Sequence, residues 1–430
     1  MYVSYIHYNI LEDHIAYNLY RIRNHCSLAL VCGGNEFNPY TKENAASMFV
    51  TERTVRTLVP DRLFHYTTPD GGSAHVYIDL EPVWYRHYYS ALPFLAESGL
   101  HSMPNFKSLK KLISQKAAEG VLHELASKDF AQNYPELLNH FSEYHPDRVD
   151  RLTSRISQVV DMKNVSLAEL CEASQVQAYE FYQLMVQSMR ENYPSCGGIM
   201  PWVFKRPRTT SAIQTVDEND LPTLTYYSIQ NAYRPINICR CQNWSVLAPN
   251  EALDLTVKVF NQNSEDLSDT KIYLTVYRPD FGVFAEFSQE YSEVSDFGSI
   301  ALDDGFTDTC FLVCADLRRG DKNIARSVYF NKCTSLLSDK ELYGQYRKAP
   351  KENLRLDNVP WLKPCIEAAK HATLTAERVS EGLDGKYAFS EVRIKNISDC
   401  PAYPVTFDLT DDEIRFFADD NFFMLSCILS

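Results

Sequence analysis

Basic residues are in short supply. Across 430 residues, 42 Lys and Arg face 56 Asp and Glu, for a net charge of −14. The acids are spread along the chain rather than gathered in a tail, so the basic footprint that nucleic acid requires is missing. No apolar run reaches the roughly 18 residues of a membrane-spanning helix. Met1 to Leu19 is polar and aromatic and lacks a basic segment followed by an apolar core, so the chain as given is expected to be cytoplasmic. Neither Gly33-Gly34 nor Gly71-Gly72 has the surrounding residues of a phosphate-cradling loop. The 12 cysteines are scattered. Cys239/Cys241 and Cys310/Cys314 are not spaced as zinc knuckles, and the set reads as buried thiols of a reducing compartment. No metal or other cofactor is expected. The formal glycosylation tripeptides at Asn164, Asn243 and Asn396 are short enough to arise by chance.

What is present is an ordinary globular composition, 45% hydrophobic and 23% charged, on a chain long enough for two to four domains. It holds 27 Tyr and 23 Phe. Flat rings stack on sugars, but they are also ordinary core and strand residues.

The pattern of the first 235 residues is that of an α/β protein. Residues 7–24 have helical spacing. Ser27 to Cys32 is a short apolar run before Gly33-Gly34, as in a strand buried on both faces. A helix is expected over 40–58, with strands at Leu63–Tyr66, Ala74–Ile78, Leu92–Ala96 and Gly197–Phe204. Pro69-Asp70-Gly71-Gly72 marks a turn, and residues 106–194 read as mostly helical. Near Arg234 the pattern changes to period-two segments such as Leu253 to Phe260 and Ala388 to Ile394, separated by turn residues. The expected domains are 1–235, with a helical insert at 106–194, then immunoglobulin-like β-sandwiches at 236–345 and, incomplete, at 346–430.

Two carboxylates stand out by position. Glu36 follows one apolar run and two glycines; Glu97 follows another and precedes Ser98-Gly99. A carboxylate just past the C-terminal end of a barrel strand sits where such barrels carry their active sites, and two of them can flank a glycosidic bond. The competing reading is two solvent-exposed loop glutamates, the commonest state of Glu.

The residues around them carry a resemblance. Arg23-Asn24-His25-Cys26-Ser27 leading to Cys32-Gly33-Gly34-Asn35-Glu36 resembles the acid/base segment of glycoside hydrolase family 2. Leu95-Ala96-Glu97 through Met103-Pro104 resembles its nucleophile segment. His65 to Gly72 resembles the loop after strand five of that family's barrel, Gly197 to Trp202 strand eight, and Leu221-Pro222 to Tyr227 the following helix start. The order and spacing of the five matches are specific, and the helical insert and trailing sandwiches are similar to the β-mannosidase branch. Departures are Ser98 where an aromatic is usual, His101 in place of Gln, and Lys205-Arg206 where Asn-Asp is usual.

The resemblance implies a partial (β/α)8 barrel of about strands four to eight, followed by the two sandwiches. It implies a retaining β-glycosidase of β-mannosidase type acting on a β-linked oligosaccharide or glycoside. Glu36 would be acid/base, Glu97 nucleophile, Asn35 a partner of the sugar 2-hydroxyl, and Trp202 the floor of the sugar subsite. His65, His75, Tyr77, Trp84 and His101 are further pocket candidates, for which structural filling is an equal reading. The first domains and barrel strands of the family are not in this sequence, so the chain is expected to be a truncated piece, weakly active alone. It would pair with a missing N-terminal half or a second copy. Exo-β-glucosaminidase, β-galactosidase and a non-catalytic relic remain alternatives.

Overall fold

The computed structural model of the chain describes residues 5–77, 82, 84–88, 92–119, 132, 135–141, 156–161, 165–206, 208, 210, 214–336, 338–346, 362–369, 371–411 and 414–426. Parts of the expected helical insert, residues 347–361 and Cys427 lie outside them. The chain divides into two compact units. The first is Met1–Tyr77, Ala91–Ser98 and Tyr193–Pro201; the second is Ile78–Ser90, Gly99–Asn192 and Trp202–Ser430.

In the first unit, helices α1 (Tyr5–Ile22) and α2 (Lys42–Leu58) accompany strands β1 (Leu30–Cys32) and β2 (Leu63–His65), which pair in parallel. In α2, Glu43 in the first turn and Arg56 in the last match the helix dipole. Leu19, Val55 and Val59 form a buried cluster, and Leu28, Val31 and Phe64 pack on it. Strand side chains alternate in direction, so the opposite face of the pair carries Leu30 and Leu63. These are 40% and 73% exposed. This corrects the expectation of a strand buried on both faces: the helices cover one side only.

The unit's second sheet is parallel, in the order β3 (Ser73–Val76), β4 (Phe94–Ser98), β5 (Gly198–Pro201). The turn before β3 forms where expected. Ser73 N donates to Asp70 O at 2.9 Å, and Gly71 and Gly72 take φ of 55° and 91°, a region glycine enters without steric cost. Ile78, the expected end of β3, lies outside the described residues.

The second unit is built on the helix Leu167–Glu191. Ser166 and Glu169 cap it reciprocally, a capping box. Its side chains are buried almost all round, as in a helix enclosed by other elements. Two of its buried glutamines find polar partners inside: Gln183 Nε2 donates to Val328 O at 2.9 Å, and Gln187 Nε2 to Ser327 Oγ at 3.0 Å.

Eight strands follow the helix: β6 (Ile236–Arg240), β7 (Val246–Leu247), β8 (Ala252–Asn261), β9 (Lys271–Tyr277), β10 (Val283–Glu290), β11 (Val294–Ala301), β12 (Thr309–Arg319) and β13 (Lys322–Cys333). They form two sheets, ordered β10-β9-β12-β13-β7 and β11-β8-β6. The period-two reading of β8 is visible in its burial: Leu253, Leu255, Val257 and Val259 are all buried. Beyond them, β14 (Leu374–Asp384) and β15 (Tyr387–Asn396) form one antiparallel pair and β16 (Ala402–Val405) and β17 (Phe423–Leu425) another. Among the described residues no helix is long and apolar enough to cross a membrane.

Candidate active site

The first unit holds the two carboxylates, and local backbone bonding fixes both. Beyond β1 the chain stays laced to the segment after β2. Gly33 N donates to His65 O at 2.8 Å, Thr68 N to Gly34 O at 3.2 Å, and Glu36 N to Thr68 O at 2.7 Å. Gly33 has to be glycine for this approach, since a Cβ there would meet the Phe64 ring at 2.8 Å and the Tyr66 carbonyl oxygen at 3.0 Å. Glu36 itself has φ of 54°, a left-handed conformation that non-glycine residues adopt mainly where surroundings enforce it. Asn35 bridges Thr68, whose hydroxyl donates to Asn35 Oδ1 at 3.4 Å.

Glu97 lies inside β4 rather than beyond it, because the strand starts two residues later than expected and runs to Ser98. Ser98 is fully buried, and its hydroxyl donates to Val76 O at 2.7 Å, tying the end of β4 to β3. The β3–β4 ladder slips between Ala74 and His75, so that Ala74 faces Leu95 but His75 faces Glu97. Such irregularities re-aim side chains. Here the slip sets an imidazole directly opposite a carboxylate.

The result is one cluster. His75 Nδ1 lies 2.8 Å from Glu36 Oε1 and 3.3 Å from Glu97 Oε2. The Tyr77 hydroxyl, from the residue just past β3, donates to Glu97 Oε2 at 2.8 Å. One oxygen each of Glu36 and Glu97 and one ring nitrogen of His75 all lie within 4.8 Å of one another. The side chains of His75 and Glu97 are 5% and 12% exposed, whereas that of Glu36 is 58% exposed. Thus an open carboxyl faces an enclosed one across a sheltered imidazole.

Other candidates are placed differently. His65 lies on β2, its Nε2 3.4 Å from Ser73 Oγ. Trp202, His101 and Trp84 belong to the second unit. Trp202 is 38% exposed with the Arg206 guanidinium 5.7 Å above its ring. Trp84 is 1% exposed, a core residue with no ring face open to solvent. Sequence reading named His75 and Tyr77 only as generic pocket residues. Their closeness was available from the i, i+2 spacing; the ladder slip that aims His75 was not.

The second unit holds another close set, Glu191, Cys239 and Cys241, again within 4.8 Å. Burial pushes the Glu191 carboxyl up and the Cys239 thiol well up. Arg86 Nη2 holds Glu191 Oε2 at 3.2 Å. A buried ion pair beside a protonated thiol describes it, and a soft metal could be held there only after that thiol lost its proton.

No protein-family model matches the sequence, and a search of curated proteins finds no significant match. Solved structures do match. The chain is similar to a β-D-mannosidase from Dictyoglomus thermophilum, with 14% identity and a TM-score of 0.64, covering 99% of this chain and 48% of that one. It is similar to the exo-chitosanase of Amycolatopsis orientalis, with 15% identity and a TM-score of 0.69, covering 99% and 50%. A variant of that exo-chitosanase in complex with PNP-β-D-glucosamine gives a TM-score of 0.71 at 15% identity over the same shares. The chain thus has a fold found in glycoside-cleaving enzymes and spans about half the length of the structures it matches.

Proposed function

We propose that the chain carries the catalytic pair of a retaining exo-β-glycosidase of glycoside hydrolase family 2, most similar in type to β-mannosidase. The observation that carries this reading is the pairing of Glu36 and Glu97, with facing oxygens within 4.8 Å. Carboxyl groups of retaining glycosidases lie about 5–5.5 Å apart, and those of inverting ones about 6.5–9.5 Å. On this proposal β1 to β5 are strands four to eight of a (β/α)8 barrel within residues 1–235, 236–345 is an immunoglobulin-like sandwich, and 346–430 is a second, incomplete one.

In the first half-reaction a carboxylate oxygen of Glu97 bonds to the anomeric carbon. The bond from that carbon to the leaving oxygen breaks, and the Glu36 proton passes to the leaving oxygen. In the second, Glu36 takes a proton from water, the water oxygen bonds to the anomeric carbon, and the ester to Glu97 breaks. Tyr77 and His75 both contact Oε2 of Glu97, so Oε1 is assigned as the attacking atom. Asn35, beside Glu36 at the open end of the cluster, is assigned to the sugar 2-hydroxyl.

Exo-β-glucosaminidase is the second reading, because the fold is shared with the exo-chitosanase as well as with the β-D-mannosidase. A panel of aryl β-glycosides, assayed on protein made from its complete reading frame, separates the two. The proposal expects turnover of the β-mannoside, abolished by Glu97→Gln. Turnover of the glucosaminide instead selects the second reading. No turnover of any β-glycoside defeats both.

A further inference from the structure

His75 is more than pocket filling. It is one of the most enclosed groups of the cluster, yet its Nδ1 lies within hydrogen-bonding distance of both carboxylates. Its other ring nitrogen, Nε2, is buried and has no hydrogen-bond partner among the described residues. A neutral imidazole has one N–H and one bare nitrogen. Two carboxylate oxygens facing Nδ1 can only accept when ionised, so the proton belongs on Nδ1. A proton on Nε2 would be a buried donor with nothing to receive it, while Nδ1 would point a lone pair at two acceptors. Among the described residues the titratable groups facing the ring are Glu36 from the segment after β1, Glu97 from β4 and, through Glu97, the Tyr77 hydroxyl. His65 stands off on β2, at Ser73.

We propose that His75 is the positioning residue of the pair: its single Nδ1–H is shared between Glu36 and Glu97 and follows whichever carboxylate is ionised. The inference rests on the retaining reading above. In this structure the hydrogen bond of Nδ1 goes to Glu36 at 2.8 Å, with Glu97 Oε2 3.3 Å away; in the free enzyme, where the mechanism needs Glu97 ionised and Glu36 protonated, the N–H is proposed to turn to Glu97. Once Glu97 is esterified its carboxylate charge is gone. Glu36 is then the ionised member, and the N–H serves it at 2.8 Å. No atom of the ring is transferred; the donor turns from one acceptor to the other while the two glutamates exchange roles. The ladder slip that faces His75 to Glu97 is the backbone feature that makes this reach available.

Two measurements decide it. In protein labelled with nitrogen-15 histidine, the His75 signals, assigned by their loss in His75→Asn, are expected to show a protonated Nδ1 and a bare Nε2 at neutral pH. A proton on Nε2, or on both nitrogens, overturns the proposal whatever the activity. The second is the pH profile of kcat/KM. His75→Leu removes the donor from both ionised forms, so both limbs are expected to move to higher pH by about one unit. His75→Asn, whose side-chain amide can reach the place of Nδ1, is expected to hold both limbs within a few tenths of the parent. A purely structural role would lower the rate in both variants and leave the limbs unmoved, and that result also overturns the proposal. A protein with the expected ring signals and no turnover defeats the glycosidase reading and the role in turnover together.

Discussion

Tyr77 donates its hydroxyl hydrogen to Oε2 of Glu97 at 2.8 Å, the same oxygen that faces His75 Nδ1. Tyr77 directly follows β3, whose parallel pairing with β4 sets His75 opposite Glu97. In the proposed mechanism the hydroxyl holds the carboxylate still and leaves its other oxygen to attack. Tyr77→Phe keeps the ring and removes only the donor. A hydrogen bond to a charged group contributes about 1.5–3 kcal/mol, so kcat/KM is expected to fall by about 10- to 100-fold. Stability should change little, as judged by the urea midpoint. A Phe variant with parental kcat/KM would remove Tyr77 from the mechanism.

Glu36 is asked for a proton only when the leaving group is poor. Glu36→Gln is therefore expected to slow hydrolysis of an alkyl glycoside by about 10²–10⁴-fold. With a dinitrophenyl glycoside, which needs no protonation to leave, the first step should survive and product should appear as a burst before slow release. Equal losses on both substrates would contradict the acid role.

The loop that carries Glu36 depends on Gly33. A methyl group there would press on Phe64 at 2.8 Å and on the Tyr66 carbonyl oxygen at 3.0 Å. Gly33→Ala is expected to destabilise the protein by about 1–3 kcal/mol, the usual range for overpacking, read as a lower urea midpoint. Because Glu36 is held to Thr68 by the same ladder, turnover should fall as well.

Some of this was legible in the sequence. The turn at Pro69 to Gly72 follows from residue types that need positive φ, and β8 shows its period of two because one face is buried. The two glutamates could be singled out because each follows a short apolar run. Less could be read where tertiary packing decides. Ser27 to Cys32 looks buried on both faces, yet Leu30 and Leu63 are exposed, since an apolar run does not say how many layers cover it. The limits of β4, Phe94–Ser98, differ from the expected Leu92–Ala96. Pro93 delays its start, and Ser98 prolongs it through a side-chain bond to Val76 O. The slip that brings His75 opposite Glu97 leaves no mark in residue types. Trp84 was a fair candidate by chemistry, but burial belongs to the fold rather than to the residue.

Away from the site, Asp316 on β12 offers a test of the second unit. Burial alone would push its carboxyl up. Hydrogen bonding and charge from Arg326, joined by Arg318, outweigh that and hold it below its ordinary value. Arg326 Nη2 lies 2.8 Å from Oδ2, and Asn323 Nδ2 donates to Oδ1 at 3.0 Å. Because the folded-state value is the depressed one, the stability it confers is present above the unfolded value of about 4. That stability is lost as pH falls through the folded value. Asp316→Asn, which strips a buried pair of its charge, is expected to cost about 3 kcal/mol near neutral pH. The gap between variant and parent should narrow below about pH 4. Urea midpoints across that range check it; a gap independent of pH would mean that the pair is not what the charge contributes.

The central claim is that Glu97 forms a glycosyl ester while Glu36 serves it from the other side of one cluster. The most direct measurement is incubation of protein from the complete reading frame with a 2-deoxy-2-fluoro β-mannoside bearing a good leaving group, followed by intact mass and peptide mapping. The expected result is a single added fluorosugar on the peptide containing Glu97, with none on Glu97→Gln. Folded, fully active protein that takes no label, or takes it on another residue, would contradict the account.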